Sequence, residues 1–198
     1  MQDLSNLRFL CDDALNTIER AAHRLLDEVG IALEHSETKE MLHGLGCVME
    51  DDRTRIPLDV VAWAVENITP HREFYNVDGS LAFSLDGQRF RFHNGGGAPF
   101  IYDLESGERR PATLKDVADM TRLLDALPNV DVVVPLFGPQ DVAPELLAVA
   151  STEVTLRNTS KPVSSAAIDK PQYVDYVVQM AAACCGGMEA YREHPSMT

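Results

Sequence analysis

Aromatic residues are concentrated in one short stretch of the sequence, and a carboxylate follows the last of them. More than half of them lie between positions 74 and 102: Phe74, Tyr75, Phe83, Phe90, Phe92, Phe100 and Tyr102. Asp103 comes next. Aromatic faces beside a carboxylate can hold a cation that has no N–H groups to donate. Strands also favour aromatic residues, which then bury a small core. Both explanations stay open for Tyr102 with Asp103, whereas burial is favoured for the other rings.

A run of three glycines is the second unusual feature. It occurs in the segment His93-Asn94-Gly95-Gly96-Gly97. Glycines cost backbone entropy, so a close approach or a positive φ should require them. The segment could border a bound ligand, or it could form the corner of a hairpin. It does not match a phosphate-binding loop, because G-x-x-x-x-G-K-[ST] is absent and no helix is predicted to begin after it.

Cysteine and histidine residues give no pattern of a metal centre. None of the four cysteines stands at C-x-x-C spacing, and neighbours such as Cys184 and Cys185 rarely bridge each other. The six histidines are scattered, with no pair at the spacing of four residues that would chelate from a helix. We therefore expect no metal site, and reduced thiols of the kind typical of a cytoplasmic protein.

The first part of the chain changes from helical to extended patterns. Apolar spacing predicts a helix over 15–29, with Gly30 ending it. Further helices are predicted over 36–45 and 57–68. Residues 73–110 read as short strands of a small antiparallel β-element. Its turn pairs are Asp78-Gly79, Asp86-Gly87 and Ser106-Gly107. We assign residues 1–112 to an N-terminal helical and β-hairpin extension.

From residue 113 onward, helices alternate with apolar extended runs. Thr113 and Asp116 form a T-x-x-D capping box, which starts a helix. Val130–Leu136 and Pro162–Ala167 are predicted strands, and a helix is predicted after each. Such alternation predicts adjacent parallel strands in an α/β fold. A complete barrel of this kind needs roughly 250 residues. We therefore assign residues 113–198 to the first β/α units of an incomplete TIM barrel.

The carboxyl ends of barrel strands are where catalytic groups lie. Phe137 ends the first predicted strand and could enter a pocket there. Asp169 has the equivalent position after the second strand, but it is explained more simply as a helix N-cap. Lys161 lies at the opposite end, where we expect a structural role. Because two parallel strands leave bare edges, we also expect self-association into a homo-oligomer.

Charge and hydropathy exclude two classes of partner. The formal net charge of -14 would repel phosphate backbones, so we expect no nucleic-acid partner. No apolar run approaches the roughly 20 residues that a membrane span needs. We therefore expect no membrane partner.

Four segments carry a resemblance to a known family, and they occur in the family's order. They are Leu25–Ile31, Gly46–Val48 with Thr54–Pro57, Tyr102–Asp116, and Asn158–Pro162. The third is the clearest, with an aspartate, then Ser-Gly, then Arg-Arg, then T-x-x-D. Together they resemble the trimethylamine methyltransferase family, and they span most of the chain.

The resemblance implies a fold, a reaction and a site. Family members form a (β/α)8 barrel behind an N-terminal extension, of which this chain would be the N-terminal part only. The implied enzyme moves a methyl group from a tertiary or quaternary methylated amine, such as trimethylamine or a betaine, to a Co(I) corrinoid. That corrinoid (cobalamin) is carried by a partner protein, so we expect no cofactor bound tightly by this chain and no activity of the fragment alone. No catalytic residue is identified. The residues expected to bind substrate are Tyr102, Asp103, Asn94, Gly95, Gly96 and Phe137.

Two other functions fit the same sequence. The chain could be a non-catalytic binding or interaction module that retains only the N-terminal region of that family. It could also be an unrelated barrel enzyme whose opening segments coincide with the family's.

Overall fold

Helices and short sheets alternate along the chain, and they fall into two units. A computed structural model describes residues 9–50, 52–69, 72–85, 89–165, 168 and 170–197. The units are Met1–Pro70 and His71–Thr198. In the described ranges, no helix combines the length and the apolar character needed to cross a membrane. The predicted division at residue 112 stays a prediction.

The described part of the first unit combines three α-helices with a small antiparallel sheet. Its elements are α1 (Asp12–Arg24), β1 (Ile31–Ala32), α2 (Ser36–Gly44), β2 (Val48–Glu50), β3 (Arg53–Arg55) and α3 (Leu58–Glu66). Strand β3 lies between β1 and β2 and is antiparallel to both. The helices predicted over 36–45 and 57–68 are confirmed, with small differences at their ends.

The long first helix ends in one wide turn. After α1 the chain continues as a π-helical turn, Leu25–Val29, and the Gly30 N–H donates to the Leu25 carbonyl at 2.8 Å. Gly30 has a φ of 71°, which favours glycine. A Cβ at this position would lie 2.6 Å from the Thr54 carbonyl oxygen. The predicted end at Gly30 is therefore confirmed, although the last turn is π-helical.

Among its described residues, the second unit contains two hairpins and four α-helices. Its elements are β4 (Arg72–Tyr75), β5 (Leu81–Leu85), β6 (Phe100–Tyr102), β7 (Arg109–Pro111), α4 (Leu114–Ala126), α5 (Leu147–Asn158), α6 (Pro171–Cys184) and α7 (Met188–Glu193), with a 3₁₀ turn at Pro144–Leu146. The pairs β4–β5 and β6–β7 are separate two-stranded sheets. The predicted antiparallel strands over 73–110 are confirmed, but they form two separate hairpins instead of one element, because residues 92–98 pair elsewhere.

Two of the predicted turns join the hairpin strands. Gly79 and Gly107 both have positive φ, at 85° and 71°, so the turns at Asp78-Gly79 and Ser106-Gly107 are confirmed. The third predicted turn, Asp86-Gly87, lies outside the described residues.

Four extended segments lie side by side in parallel, and we call them the parallel segments. They are residues 92–98, 131–138, 162–164 and 196–197. Val133 pairs with Val163 in parallel, so the predicted adjacency of the two strands is confirmed. The first and fourth segments were not predicted. Pairing consists of isolated bridges, and within the described residues the segments do not close into a barrel.

Apolar side chains on one face of the parallel segments pack against the helices. Val163 is fully buried in a cluster with Leu156 of α5 and Val177 of α6. Burying a valine side chain stabilises the fold by about 1.5–3 kcal/mol. Neighbouring residues of an extended chain point to opposite faces, so Val132 and Ser164 lie on the face turned away from these helices.

Lys161 connects the third parallel segment to the end of α4. Its Nζ donates to the carbonyl oxygens of Leu124 at 2.9 Å and Leu127 at 2.6 Å. Both carbonyls lie at the C-terminal end of α4, where each also accepts a backbone N–H from three residues later, at 3.3 and 3.2 Å. Lys161 therefore makes structural contacts, as expected.

Candidate functional site

An open cleft lies between the β6–β7 hairpin and the start of α4. Its volume is about 620 Å³, and its walls include Tyr102, Asp103, Arg110, Asp116 and Phe137. Strand β6 begins just after the first parallel segment ends. The cleft therefore lies beyond the carboxyl end of that segment, the end at which parallel β/α folds bind their ligands.

Asp103 holds the turn between β6 and β7. Its Oδ1 accepts hydrogen bonds from the backbone N–H of Ser106 at 3.0 Å and of Glu105 at 3.2 Å. The Ser106 hydroxyl donates to the same oxygen at 3.1 Å. The Ser106 backbone N–H makes the largest contribution to a lowered pKa of Asp103. Asp103 is therefore an anion at neutral pH, and one of its two oxygens is used by the turn.

Arg110 joins that turn to the first turn of α4. Its Nη1 and Nη2 donate to the two carboxylate oxygens of Asp116 at 2.7 and 2.8 Å, and its Nε lies 3.7 Å from Asp103 Oδ2. Asp116 also accepts from the Thr113 backbone N–H at 2.8 Å, which completes the predicted capping box. Arg110 is the main cause that holds the pKa of Asp116 far below its usual range.

The aromatic rings differ in what covers them. The guanidinium group of Arg109 lies 3.6 Å from the ring centroid of Phe100. Arg72 and Arg91 lie over two other rings in the same unit, at 5.4 and 4.4 Å. Tyr102 is 70% exposed and lines the cleft. Its ring is therefore available to a ligand in the cleft.

Asn94 takes the place of a backbone pair between the first two parallel segments. Its Nδ2 donates to the Val134 carbonyl at 2.7 Å, and its Oδ1 accepts from the Val134 N–H at 3.0 Å. A carboxamide carries one donor side and one acceptor side, as a peptide group does. The Asn94 side chain therefore makes the two hydrogen bonds to Val134 that a backbone peptide group would make in a regular parallel pair.

The three glycines after Asn94 have three different surroundings. A Cβ on Gly96 would lie 3.0 Å from the Pro135 carbonyl oxygen, so the close approach there needs a glycine. Gly97 has a φ of 82°. Gly95 has neither requirement, because its φ is not positive and a Cβ there would meet nothing within 4 Å among the described residues. The segment pairs in parallel with residues 132–137, so the hairpin-corner alternative is wrong.

Phe137 forms the inner wall of the cleft. It is 6% exposed and packs in a buried cluster with Ala112 and Val117. The structure thus brings three of the residues expected at the site, Tyr102, Asp103 and Phe137, to one cleft. The other three (Asn94, Gly95 and Gly96) lie on the first parallel segment and are not part of the cleft wall.

Sequence reasoning missed the charged residues that surround Asp103. The cleft wall carries four carboxylates and two cations: Asp103, Glu105, Asp116 and Asp119, with Arg110 and Lys115. The signal was present, because Arg110 and Asp116 belong to the Arg-Arg and T-x-x-D parts of the same motif. The excess of carboxylates favours a cationic ligand. Across the described part of the chain, no three or more His, Cys, Asp or Glu side chains are grouped to hold a metal ion.

Comparison with known proteins gives a family. The family model described as trimethylamine methyltransferase (MTTB) matches residues 1–198. The trimethylamine methyltransferase MttB of Desulfitobacterium hafniense (strain DSM 10664 / DCB-2) is 30% identical over 187 residues. The glycine betaine methyltransferase of strain Y51 is 25% identical over 195 residues. These alignments cover 93% and 98% of this chain, but only 37% and 40% of the relatives. The match along the whole chain shows that the protein belongs to the trimethylamine methyltransferase family.

Proposed function

We propose that the protein takes part in transfer of a methyl group from a tertiary or quaternary methylated amine to a corrinoid carried by a partner protein. The observation that carries this proposal is the cleft beside Tyr102 and Asp103, in a chain that belongs to a methyltransferase family. Trimethylamine and glycine betaine are the substrates in the names of two relatives.

The parallel segments support a proposal about the fold. In chain order, α4 comes after the first segment and before the second, α5 comes between the second and third segments, and α6 and α7 come between the third and fourth. This is the order of β/α units in a (β/α)8 barrel. We propose that the segments are its first strands, which would place the cleft and the Gly95–Gly97 backbone at the catalytic end.

The residues of the cleft suit a methylated ammonium group. A cation without N–H donors gains from an exposed aromatic face and from nearby negative charge. Tyr102 supplies the face, and Asp103 supplies an ionised carboxylate with its Oδ2 turned toward Arg110. The buried Phe137 closes the inner side, which helps to exclude water. The task of these groups is to hold the cation and to aim one methyl group.

The open backbone beside the glycines fits the approach of a bulky group. Gly95 and Gly97 have no described atom within 4 Å of the place where a side chain would stand. The corrinoid, when its carrier protein delivers it, supplies the strong nucleophile that accepts the methyl group. Gly95 and Gly97, with the backbone of Gly96 between them, would border the space through which that group approaches. A quaternary amine leaves as a neutral tertiary amine, so this chain need not supply a general acid.

Calorimetric titration with tetramethylammonium, trimethylamine and glycine betaine tests the site. Asp103→Asn should weaken tetramethylammonium binding several-fold without lowering the melting temperature, because asparagine can make the same turn. Asp78→Asn is the matched control, since Asp78 Oδ1 accepts from the Ser80 backbone N–H at 2.9 Å in a similar turn.

Two outcomes would count against the proposal. Equal affinities of wild type and Asp103→Asn would remove this carboxylate from the site. In a second experiment, the chain is mixed with the remaining part of the barrel from a family member and with cob(I)alamin. If amines bind but the cob(I)alamin is not methylated, the result would favour the non-catalytic binding module. The methylation is followed by the change in the corrinoid absorption spectrum.

A further inference from the structure

A second cavity lies on the opposite side of the parallel segments from the helices. Its volume is about 420 Å³, which is within the usual range for small-molecule sites. Its walls include Val132 and Ser164, which face away from the helix layer, and it shares no wall residue with the cleft. The cavity is therefore separate from the proposed methylated-amine site.

The walls of this cavity are aromatic. Four of its wall residues are Phe74, Phe83, Phe90 and Phe92. The rings of Phe74 and Phe83 are stacked, with centroids 4.8 Å apart and planes inclined by 13°. Phe90 and Phe92 are each 55% exposed. Two rings thus form a fixed apolar wall, and two more are open to a flat apolar ligand.

The charged side chains on the described wall of this cavity are arginines. The described wall residues include two arginines, Arg89 and Arg91, and no carboxylate. The guanidinium group of Arg91 lies 4.4 Å from the Phe83 ring centroid, and its Nη1 donates to Asp131 at 3.0 Å. The Arg91 guanidinium group therefore covers one face of the Phe83 ring, and its hydrogen bond to Asp131 fixes its position. The Nε–H of Arg91 is buried without a hydrogen-bond partner among the described residues.

An unmet buried N–H donor costs free energy until an acceptor reaches it. A carboxylate is the acceptor that guanidinium groups bind best. A methylated ammonium ion would be repelled by Arg89, and the Phe83 face that it would need is already covered by Arg91. From these observations we infer that this cavity binds a small carboxylate with a flat apolar body.

Fluorine NMR of the whole 198-residue chain with two matched probes tests the inference. The probes are 4-fluorobenzoate and 4-fluorobenzylamine, which have similar shape and opposite charge. We expect 4-fluorobenzoate to bind, with a concentration-dependent shift and broadening of its resonance, and 4-fluorobenzylamine, which the carboxylate-rich cleft can hold, not to displace it. Displacement of 4-fluorobenzoate by 4-fluorobenzylamine, or no binding of 4-fluorobenzoate at millimolar concentration, would overturn the inference.

Two variants locate the binding. Arg89→Gln should weaken 4-fluorobenzoate about tenfold, which corresponds to about 1.4 kcal/mol, at an unchanged melting temperature because Arg89 is exposed. Arg109→Gln is the matched control, because it removes the same charge from an arginine that stacks on Phe100 outside the cavity. An equal loss in both variants would show a non-specific charge effect and would also overturn the inference.

Discussion

Replacement of Asp116 by alanine tests whether the motif around Arg110 is a structural clamp. The Asp116 side chain is 9% exposed and accepts from Arg110 and Thr113. Loss of the capping interaction should cost about 1 kcal/mol. The charge-assisted pair with Arg110 adds about 1–2 kcal/mol, a value discounted because the Arg110 side chain is 40% exposed. We therefore expect Asp116→Ala to lower the free energy of unfolding by about 2–3 kcal/mol.

The effect should depend on pH in a defined direction. The folded-state pKa of Asp116 is lowered, so its contribution is fully present above the ordinary aspartate pKa of about 3.9. The contribution is lost as the pH falls from there toward the lower folded-state value, because the protein must then protonate a paired carboxylate. The difference between wild type and variant should accordingly be constant near neutral pH and shrink in acid.

Urea unfolding followed by far-ultraviolet circular dichroism measures this difference. Fluorescence is unsuitable, because the single tryptophan, Trp63, lies in the first unit. Asp119→Ala on the same helix is the control, since Asp119 pairs with the exposed Lys115 and its own side chain is 44% exposed. The free energy of unfolding should change much less in Asp119→Ala than in Asp116→Ala, because exposed ion pairs contribute little. If both variants lose the same free energy of unfolding, the cost of burying the Asp116 carboxylate offsets its pairing with Arg110. That result would refute the structural clamp.

Three further predictions concern backbone contacts made elsewhere. Asn94→Ala should lower the free energy of unfolding by about 1–3 kcal/mol, because it leaves the N–H and C=O of Val134 without their partner; chemical denaturation checks this, and a neutral effect would show that water replaces the carboxamide. Gly30→Ala should cost more than about 1 kcal/mol, because a Cβ would meet the Thr54 oxygen in a backbone conformation that disfavours alanine; the melting temperature measures it, and an unchanged value would contradict the close approach. Lys161→Met should cost about 1–2 kcal/mol through loss of two bonds to helix carbonyls, whereas Lys161→Arg should recover part of the loss; unfolding free energies that do not distinguish the two variants would refute the capping role.

Local signals predicted local structure well. The helix that begins at Thr113 was predicted from T-x-x-D, because the capping box is made by residues three positions apart. The pairing of Val133 with Val163 followed from the alternation of extended runs with helices, and the apolar run Val132–Val134 suits a parallel strand buried on both faces. The end of the first helix at Gly30 was visible for a similar reason, since a positive φ selects glycine.

Features that depend on distant partners were not predictable. The first parallel segment contains polar and glycine residues instead of an apolar run, and part of its pairing is made by the side chain of Asn94, 40 residues before its partner. The short strands β1 and β2 have too few residues to show a period. The candidate site was predicted in part, since its aromatic residue and one carboxylate stood out. The contact of Arg110 with Asp116 was missed, because a sequence does not show which of several nearby charges a guanidinium group selects.

The substitution of a side chain for a peptide group at Asn94 has a consequence for how this region can change. In an ordinary strand, the main chain itself makes the hydrogen bonds to the neighbouring strand. A change in the path of the main chain therefore disrupts the pairing. Here the carboxamide makes the bonds to Val134, and main-chain bonds of Phe92 and Ala98 join the two segments on either side of it. Gly95, where a Cβ would meet no described atom within 4 Å, can therefore change while the two segments remain joined. A protein with this arrangement can acquire a differently shaped ligand cavity through local changes to one loop, with the rest of its framework kept intact.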